Sequence, residues 1–407
     1  MKTILKLAWR NIWRNKRRTL ITVASIMFAL FFAIIMRGFQ KGSYAKMKEN
    51  AIESYSGYIQ IHKKGYWDDK NINNVFSLDK EITTKLVSDS RVIDVIPRLE
   101  SFALASSGES TKGVVVMGVS PDKEDKMTKI KSYMQEGEFI NEEDKAILVA
   151  ADLAKFLKVE VGDTLVLFSS GYHGQTAAGL YPVKGILKLP TPEMNKGTVY
   201  LPIKEAQYFF STDNQLTALV FDLHDIDDAK NVQQEISKSI DLDKYEVMGW
   251  EVMNKELLQM IESDNAGGVI MIAILYLVIA FGIFGTVLMM TNERIREFSV
   301  MISVGMQKSK LALVVIIELF FLTTLAVIAG IIISLPVMIY FVYNPIRFSG
   351  EALEAMKDFN FEPVMPISME PEIFIMQAIS ISIISLIAMS YPTIKIMTLD
   401  VVNGLRS

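Results

Sequence analysis

Cysteine is absent from all 407 residues. That excludes disulfides, zinc–thiolate centres and cysteine nucleophiles, and any folded domain here must be stable without cross-links. The dipeptide Gly-Lys never occurs, so the chain lacks a G-x-x-x-x-G-K-[ST] loop and cannot cradle nucleotide phosphates in the usual way. Histidine is scarce: His62, His173 and His224 stand apart, in no H-E-x-x-H spacing. Each reads as a surface or strand histidine rather than a metal ligand or catalyst. A formal net charge of −4, with no basic patch interleaved with aromatics, argues against nucleic acid as a partner. Carboxylates are plentiful in the polar middle but without repeated spacing, and read as a solvated face. No catalytic residue, no metal site and no cofactor held by this chain is expected.

What is present is apolar. Half the residues are hydrophobic, concentrated in four long runs, each able to cross a hydrocarbon core that needs about 20 helical residues. The expected spans are residues 19–37, 267–290, 311–342 and 373–390. The first has its apolar core at Leu20–Met36, between Arg18 and Arg37, which can snorkel to headgroups. In lipid each must be helical, because every backbone N–H and C=O needs a partner within the segment. Arg37-Gly38-Phe39 after the first span offers no small-x-small cleavage site, so the span reads as an uncleaved anchor.

Lysine and arginine orient the chain. Lys2, Lys6, Arg10, Arg14, Lys16, Arg17 and Arg18 precede the first span with no acid among them. Arg294, Arg296, Lys308 and Lys310 fall between the second and third spans. The stretch between the third and fourth carries Arg347 and Lys357 against six acids. Both termini and residues 291–310 are therefore expected inside, and residues 38–266 and 343–372 outside, with residues 391–407 a cytoplasmic tail. Within residues 1–18, Leu5, Ala8, Trp9 and Ile12 recur at helical spacing opposite Lys2, Lys6, Arg10 and Arg14. Such an amphipathic helix lies in the lipid interface, either as a simple anchor or also bracing a cytoplasmic partner.

Residues 38–266 read as α+β. A polar helix, Lys41–Glu53, continues the first span outward, and another from about Glu251 runs straight into the second. Strand patterns cover Gly57–His62, Val92–Ala105 and Gly113–Val119, with a helix at about Asp79–Ser88. A second block holds strands Ala146–Ala150, Thr164–Phe168, Tyr181–Ile186 and Gly197–Leu201 and a helix at Ala151–Leu157. Strand Leu216–Leu223, helix Asp227–Ile240 and strand Tyr245–Trp250 follow. The pattern is strand-helix-strand units enclosing a β-rich insertion.

Two stretches carry a family resemblance. Glu293-Arg294-Ile295-Arg296-Glu297-Phe298, followed by Gly305, resembles the E-R-x-x-E-[IF] signature and its later glycine in FtsX-like permeases. Tyr391-Pro392 and the closing Leu405-Arg406 are similar to that family's ending. Glu318 and Gly330 fall where such permeases often carry the same residues. Gly137, Leu153-Ala154 and Val161-Gly162-Asp163 resemble the pattern of MacB-type periplasmic domains, and the opening Ala8-Trp9-Arg10-Asn11-Ile12-Trp13-Arg14-Asn15 is also typical.

The whole resembles a MacB/LolCE-type ABC transporter permease. That resemblance implies a bacterial inner-membrane protein with four transmembrane helices and a large α+β periplasmic domain. The domain would be a porter region with a β-rich Sabre-like insertion. It implies a second permease, identical or homologous, and two separate ATPase subunits that bind ATP and magnesium. It also makes residues 293–305 a coupling helix, with Glu293, Arg294, Arg296, Glu297 and Gly305 its contact set; the alternative is a solvated helix with local ion pairs. MacB carries its ATPase N-terminally on the same chain, and the organisation here is closer to LolC and LolE or to split MacB-like systems. The implied work is mechanotransmission, with three alternatives. These are lipoprotein release to a periplasmic carrier, export of peptides, toxins or drugs through an adaptor, and FtsX-like control of an extracytoplasmic hydrolase.

Glu318, within the third span, should be paired, interfacially seated or mechanistic, since a fixed membrane carboxylate is costly. Ser25, Ala29 and Ala33 in the first span, and Ala326 and Gly330 in the third, form small-residue stripes. Such stripes let helices approach closely, within one subunit or at a dimer seam.

Overall fold

The long apolar runs form helices, and the first two extend well beyond their apolar cores. The computed structural model describes residues 2–14, 16–77, 89–189, 191–347, 349–350 and 364–402. The chain divides into two units, one from Met1–Lys46, Met260–Arg347 and Val364–Ser407, the other built on Met47–Gln259.

Among the described residues, 4 helices are long and apolar enough to cross a membrane. They are Lys16–Ala51, Lys255–Glu293, Lys308–Tyr343 and Pro371–Ala388. Their shared core includes Ile26, Leu30 and Ile34 from the first, Ile283 and Val287 from the second, Leu319 and Leu322 from the third, and Ile381 from the fourth. The fourth helix breaks at Met389 and resumes as Ser390–Met397. Pro392 explains the break, because it has no N–H for a carbonyl one turn back. The expected C-terminal tail is thus helical at its start and packed: Ile396 and Leu399 are buried, and Lys308 Nζ donates to the Leu399 carbonyl at 2.7 Å.

The amphipathic helix is Lys2–Arg14. Its apolar residues divide between two surroundings. Ala8 and Ile12 are buried in this unit, while Leu5, Trp9 and Trp13 remain about half exposed. Trp9 meets Phe321 of the third span edge-on at 5.6 Å. Thr19 of the first span donates to the Ile12 carbonyl of this helix.

Among the described residues the second unit has ten strands: β1 Ile59–Lys63, β2 Val92–Ser107, β3 Ser110–Val119, β4 Met134–Gly137, β5 Ile147–Ala150, β6 Thr164–Ser170, β7 Thr176–Leu187, β8 Thr198–Pro202, β9 Ala218–Leu223 and β10 Tyr245–Gly249. A four-strand antiparallel layer has the order β10-β1-β9-β2. Both β9 and β10 run against β1, so β9, helix Ala229–Ser239 and β10 form a split strand-helix-strand unit. Ile59, Ile61 and Phe221 of the sheet and Val232 and Ile236 of the helix make its core. The expected helix at Asp79–Ser88 lies outside the described residues.

Between β2 and β9 the insertion closes on itself. β2 pairs β3, β3 pairs β8, β8 pairs β5, β5 pairs β7, β7 pairs β6, and β6 returns to β2. Ring closure gives each of these six strands a partner on both sides over part of its length. The interior is filled by residues such as Leu99, Val116, Val149, Leu167 and Val199. Strand β2 serves both cores: Val95 faces one and Leu99 the other. The Val161-Gly162-Asp163 motif is the turn before β6. Gly162 holds φ +97°, a region costly for residues with a Cβ, and the Asp163 carboxylate accepts from the Glu160 N–H at 2.8 Å.

Several expectations are corrected here. Helices Pro121–Thr128 and Ile203–Phe210 and strand β4 were not anticipated. The polar helix near Glu251 does not run unbroken into the second span. A turn at Trp250–Met253 ends at Asn254, whose side-chain amide donates to the Trp250 carbonyl and to Ser56 Oγ. Nor are all carboxylates of the polar middle solvated. Glu124 is 2% exposed and takes two bonds from Arg98, at 2.9 and 2.6 Å, while Arg98 also donates to the Tyr55 carbonyl. His62 is a buried strand histidine, with Nδ1 2.8 Å from the Thr217 carbonyl and its ring stacked on Tyr66.

Candidate coupling site at the loop helix

After the second span ends at Glu293, a separate helix runs Ile295–Ser303. Its sequence is amphipathic. Phe298 and Ser299 are buried, Ile295 and Ile302 are half-buried, and Arg296, Glu297, Val300 and Ser303 face outward. The helix stops in a Schellman motif, with Gly305 N–H donating to Ile302 O and Met306 N–H to Met301 O, each at 3.0 Å. Gly305 adopts φ +104°, which a residue with a Cβ tolerates poorly. Its place in the signature is therefore that of a helix terminator. Beside it Val304, 83% exposed, is the most prominent apolar side chain of the loop.

Arg294 occupies the break between the two helices (φ −103°, ψ 4°), and its side chain turns inward. Nη1 lies 2.8 Å from both oxygens of Glu318 on the third span, with the arginine side chain 9% and the glutamate 4% exposed. The guanidinium also lies over the Phe298 ring, 5.1 Å from its centre. On its other side Nε is 3.4 Å from Glu297, which in turn takes a bond from Arg14 of the amphipathic helix. Four charges, Arg14, Glu297, Arg294 and Glu318, thus alternate in sign and tie three helices together. Burial alone would raise the Glu297 carboxyl; the hydrogen bond from Arg14 and the two nearby guanidinium charges outweigh it and hold the group below the usual carboxylate range.

This geometry changes the expected contact set. Arg294 is not an outward contact residue, because its donors are engaged inside with Glu318. Glu293 and Glu297 do not share one continuous helical face, because Arg294 breaks the helix between them. Glu293, Arg296 and Glu297 do lie on the exposed side. For Glu318, the structure shows a buried ion pair.

The small-residue stripes separate likewise. Ala33 is fully buried, Ala29 half-buried, and Ser25 exposed with its hydroxyl donating back to the Ile21 carbonyl. Ala326 is buried, and a Cβ on Gly330 would stand 2.9 Å from Leu30 Cδ2 and 3.2 Å from Met27 O, so this glycine seats the third span on the first. A close backbone approach involves residues not singled out from sequence, Gly38 and Gly42. A Cβ on Gly42 would lie 2.4 Å from the Pro366 carbonyl oxygen, and Ser368 N–H donates to Gly38 O at 2.9 Å. The G-x-x-x-G spacing of these two was the available signal. Also unanticipated is Gln377, buried on the fourth span and accepting from Tyr276 of the second. Among the described residues, no three His, Asp or Glu side chains gather as a metal site.

Comparison with known proteins identifies the family. The family model for the MacB-like periplasmic core domain matches residues 19–239, more than half the chain, and that for the FtsX-like permease C-terminal matches residues 269–401. The lipoprotein-releasing system transmembrane protein LolC of Neisseria meningitidis is 20% identical over 326 residues, 77% of this chain and 75% of that protein. LolE of Haemophilus influenzae is 24% identical over 244 residues, 57% of this chain and 58% of that protein. Among solved structures, the extracellular domain of the ABC-type transporter YknZ from Gram-positive bacteria matches with a TM-score of 0.35 and 17% identity. That match covers 47% of this chain and all of that one. The periplasmic region of MacB from Actinobacillus actinomycetemcomitans gives 0.36 and 11%, over 51% of this chain and 94% of that one. With its four apolar helices, the chain is a multi-pass inner-membrane protein. It belongs to the MacB/LolCE-type ABC transporter permeases.

Proposed function

We propose that this chain is the mechanotransmitting permease of a lipoprotein-releasing ABC transporter. ATP and magnesium bind and react on two separate ATPase subunits, which dock against the exposed side of the loop helix. Glu293, Arg296 and Glu297 supply the polar rim of that contact and Val300 and Val304 its apolar centre. Arg294 and Glu318 carry its displacement into the third span, and Arg14 carries it to the amphipathic helix. The spans and the periplasmic domain then move, releasing a lipoprotein to a carrier. The observation that carries the reading is the alternating chain of charges, which makes the loop helix mechanically continuous with a membrane span. The relatives LolC and LolE favour lipoprotein as cargo, and a second permease completes the complex. The lysine and arginine bias favours an orientation with both termini and residues 291–310 in the cytoplasm.

The test is reconstitution of the chain with its ATPase and second permease in liposomes holding a fluorescent lipoprotein. ATP should release the lipoprotein to a soluble carrier. Val304→Asp combined with Arg296→Glu should lower both ATPase retention and release at least about tenfold, since charge mismatch at a partly desolvated contact costs roughly 2–5 kcal/mol. Unchanged assembly and turnover in that variant would remove the loop helix from the coupling path. Retained turnover without lipoprotein release from the wild type would remove the cargo.

A further inference from the structure

A cleft of about 310 Å³ opens on the second unit. Its floor is one face of the β2–β3 hairpin. Phe102 stands directly opposite Val115 in register, and Glu100 opposite Met117, and side chains two apart on a strand share a face. Helix Pro192–Gly197 supplies the wall, with Glu193 and Met194. At the inner end the Glu100 carboxylate is held in place: Tyr55 OH donates to one oxygen at 2.5 Å, and Lys70 Nζ lies 3.5 Å from the other. Glu100 has a side chain only 13% exposed. Glu193, at the rim, has no ion pair among the described residues, and no cation is among the lining residues.

Apolar walls ending in a fixed, shielded carboxylate, with a second acid at the mouth, match a molecule with an apolar body and one cationic end. Phe102 offers a ring face, Met117 and Met194 adaptable thioethers, and the carboxylates a charge-assisted acceptor. The volume is at the low end of the roughly 300–1,000 Å³ of small-molecule sites, which restricts the ligand to about the size of one aromatic amine. We propose that this cleft binds small apolar primary amines, with the ammonium directed to Glu100 and the Glu193 carboxylate drawing the cation to the mouth. The proposal stands on the cleft's own chemistry and is separate from the coupling reading.

Equilibrium binding of tritiated tryptamine to the full chain in lipid nanodiscs tests it, with tryptophol, the neutral alcohol of similar shape, as competitor. Wild type should bind tryptamine saturably, and tryptophol should compete at least about tenfold more weakly. Glu100→Gln keeps an acceptor for Tyr55 and should weaken binding about tenfold. Val115→Trp fills the cleft and should abolish saturable binding. Glu193→Lys changes only an exposed rim residue, so it should leave folding intact while also abolishing binding. Equal competition by tryptophol, no saturable binding to wild type, or tryptamine binding retained in folded Glu193→Lys would each overturn the proposal.

Discussion

The pair Arg294–Glu318 offers the sharpest quantitative test. Replacing Glu318 with glutamine removes the negative charge from a guanidinium that is 9% exposed and donates to both carboxylate oxygens at 2.8 Å. Solvent cannot replace it, because both side chains are shielded. Glu297 cannot either: it sits 3.4 Å from Nε, is 46% exposed and is already bonded to Arg14. The cost should be that of an uncompensated buried charge, about 3–5 kcal/mol. Arg294→Gln should cost a similar amount from the other side. The double replacement Arg294→Met with Glu318→Leu should recover to within about 1 kcal/mol of wild type, since an apolar pair of similar volume avoids desolvating either ion. Equilibrium unfolding in mixed detergent micelles measures all of these, and the glutamine singles and their double close a cycle that isolates the pair term. Single mutants within about 1 kcal/mol of wild type would show that the pair behaves as a surface ion pair, and the argument from burial would fail. If the pair also transmits motion, the Met/Leu double should be stable yet poor at stimulating ATP hydrolysis by the partner.

Two further outcomes follow from the packing and the electrostatics. Gly42→Ala places a methyl 2.4 Å from the Pro366 carbonyl oxygen, backbone against backbone, and should destabilise the protein by about 1–3 kcal/mol in the same assay. Burial, with Glu53 nearby, pushes the Asp222 carboxyl up to about 6 from 3.8. Its folded-state pKa is raised, so its favourable contribution is complete at acid pH and is lost as pH rises from about 4 through 6. Asp222→Asn should therefore raise thermal stability at pH 7.5 and change it little at pH 4; an equal gain at both would contradict the burial argument.

Much of this was legible in one sequence because the membrane imposes a strong rule. Apolar runs long enough to span lipid must be helical, and the helices Lys16–Ala51, Lys255–Glu293 and Lys308–Tyr343 each contain the run that marked them. Strand alternation likewise marked β2, β3 and β9, and the E-R-x-x-E motif with Gly305 marked the loop. What local pattern could not decide was which partner each polar group would find. Arg294 and Arg296 carry the same charge two residues apart in one motif, yet one reaches a carboxylate 24 residues away and the other faces outward. Glu124 looked like one acid among many until Arg98 met it across the fold. Ring closure of the inserted strands depends on β6 pairing back to β2, a contact between residues about 60 apart. Local propensity and periodicity act over one or two turns, and through them the sequence determined the helices, strands and small-residue stripes. Charge pairing, barrel closure and the approach of Pro366 to Gly42 depend on distant segments meeting, and only the tertiary structure decided them.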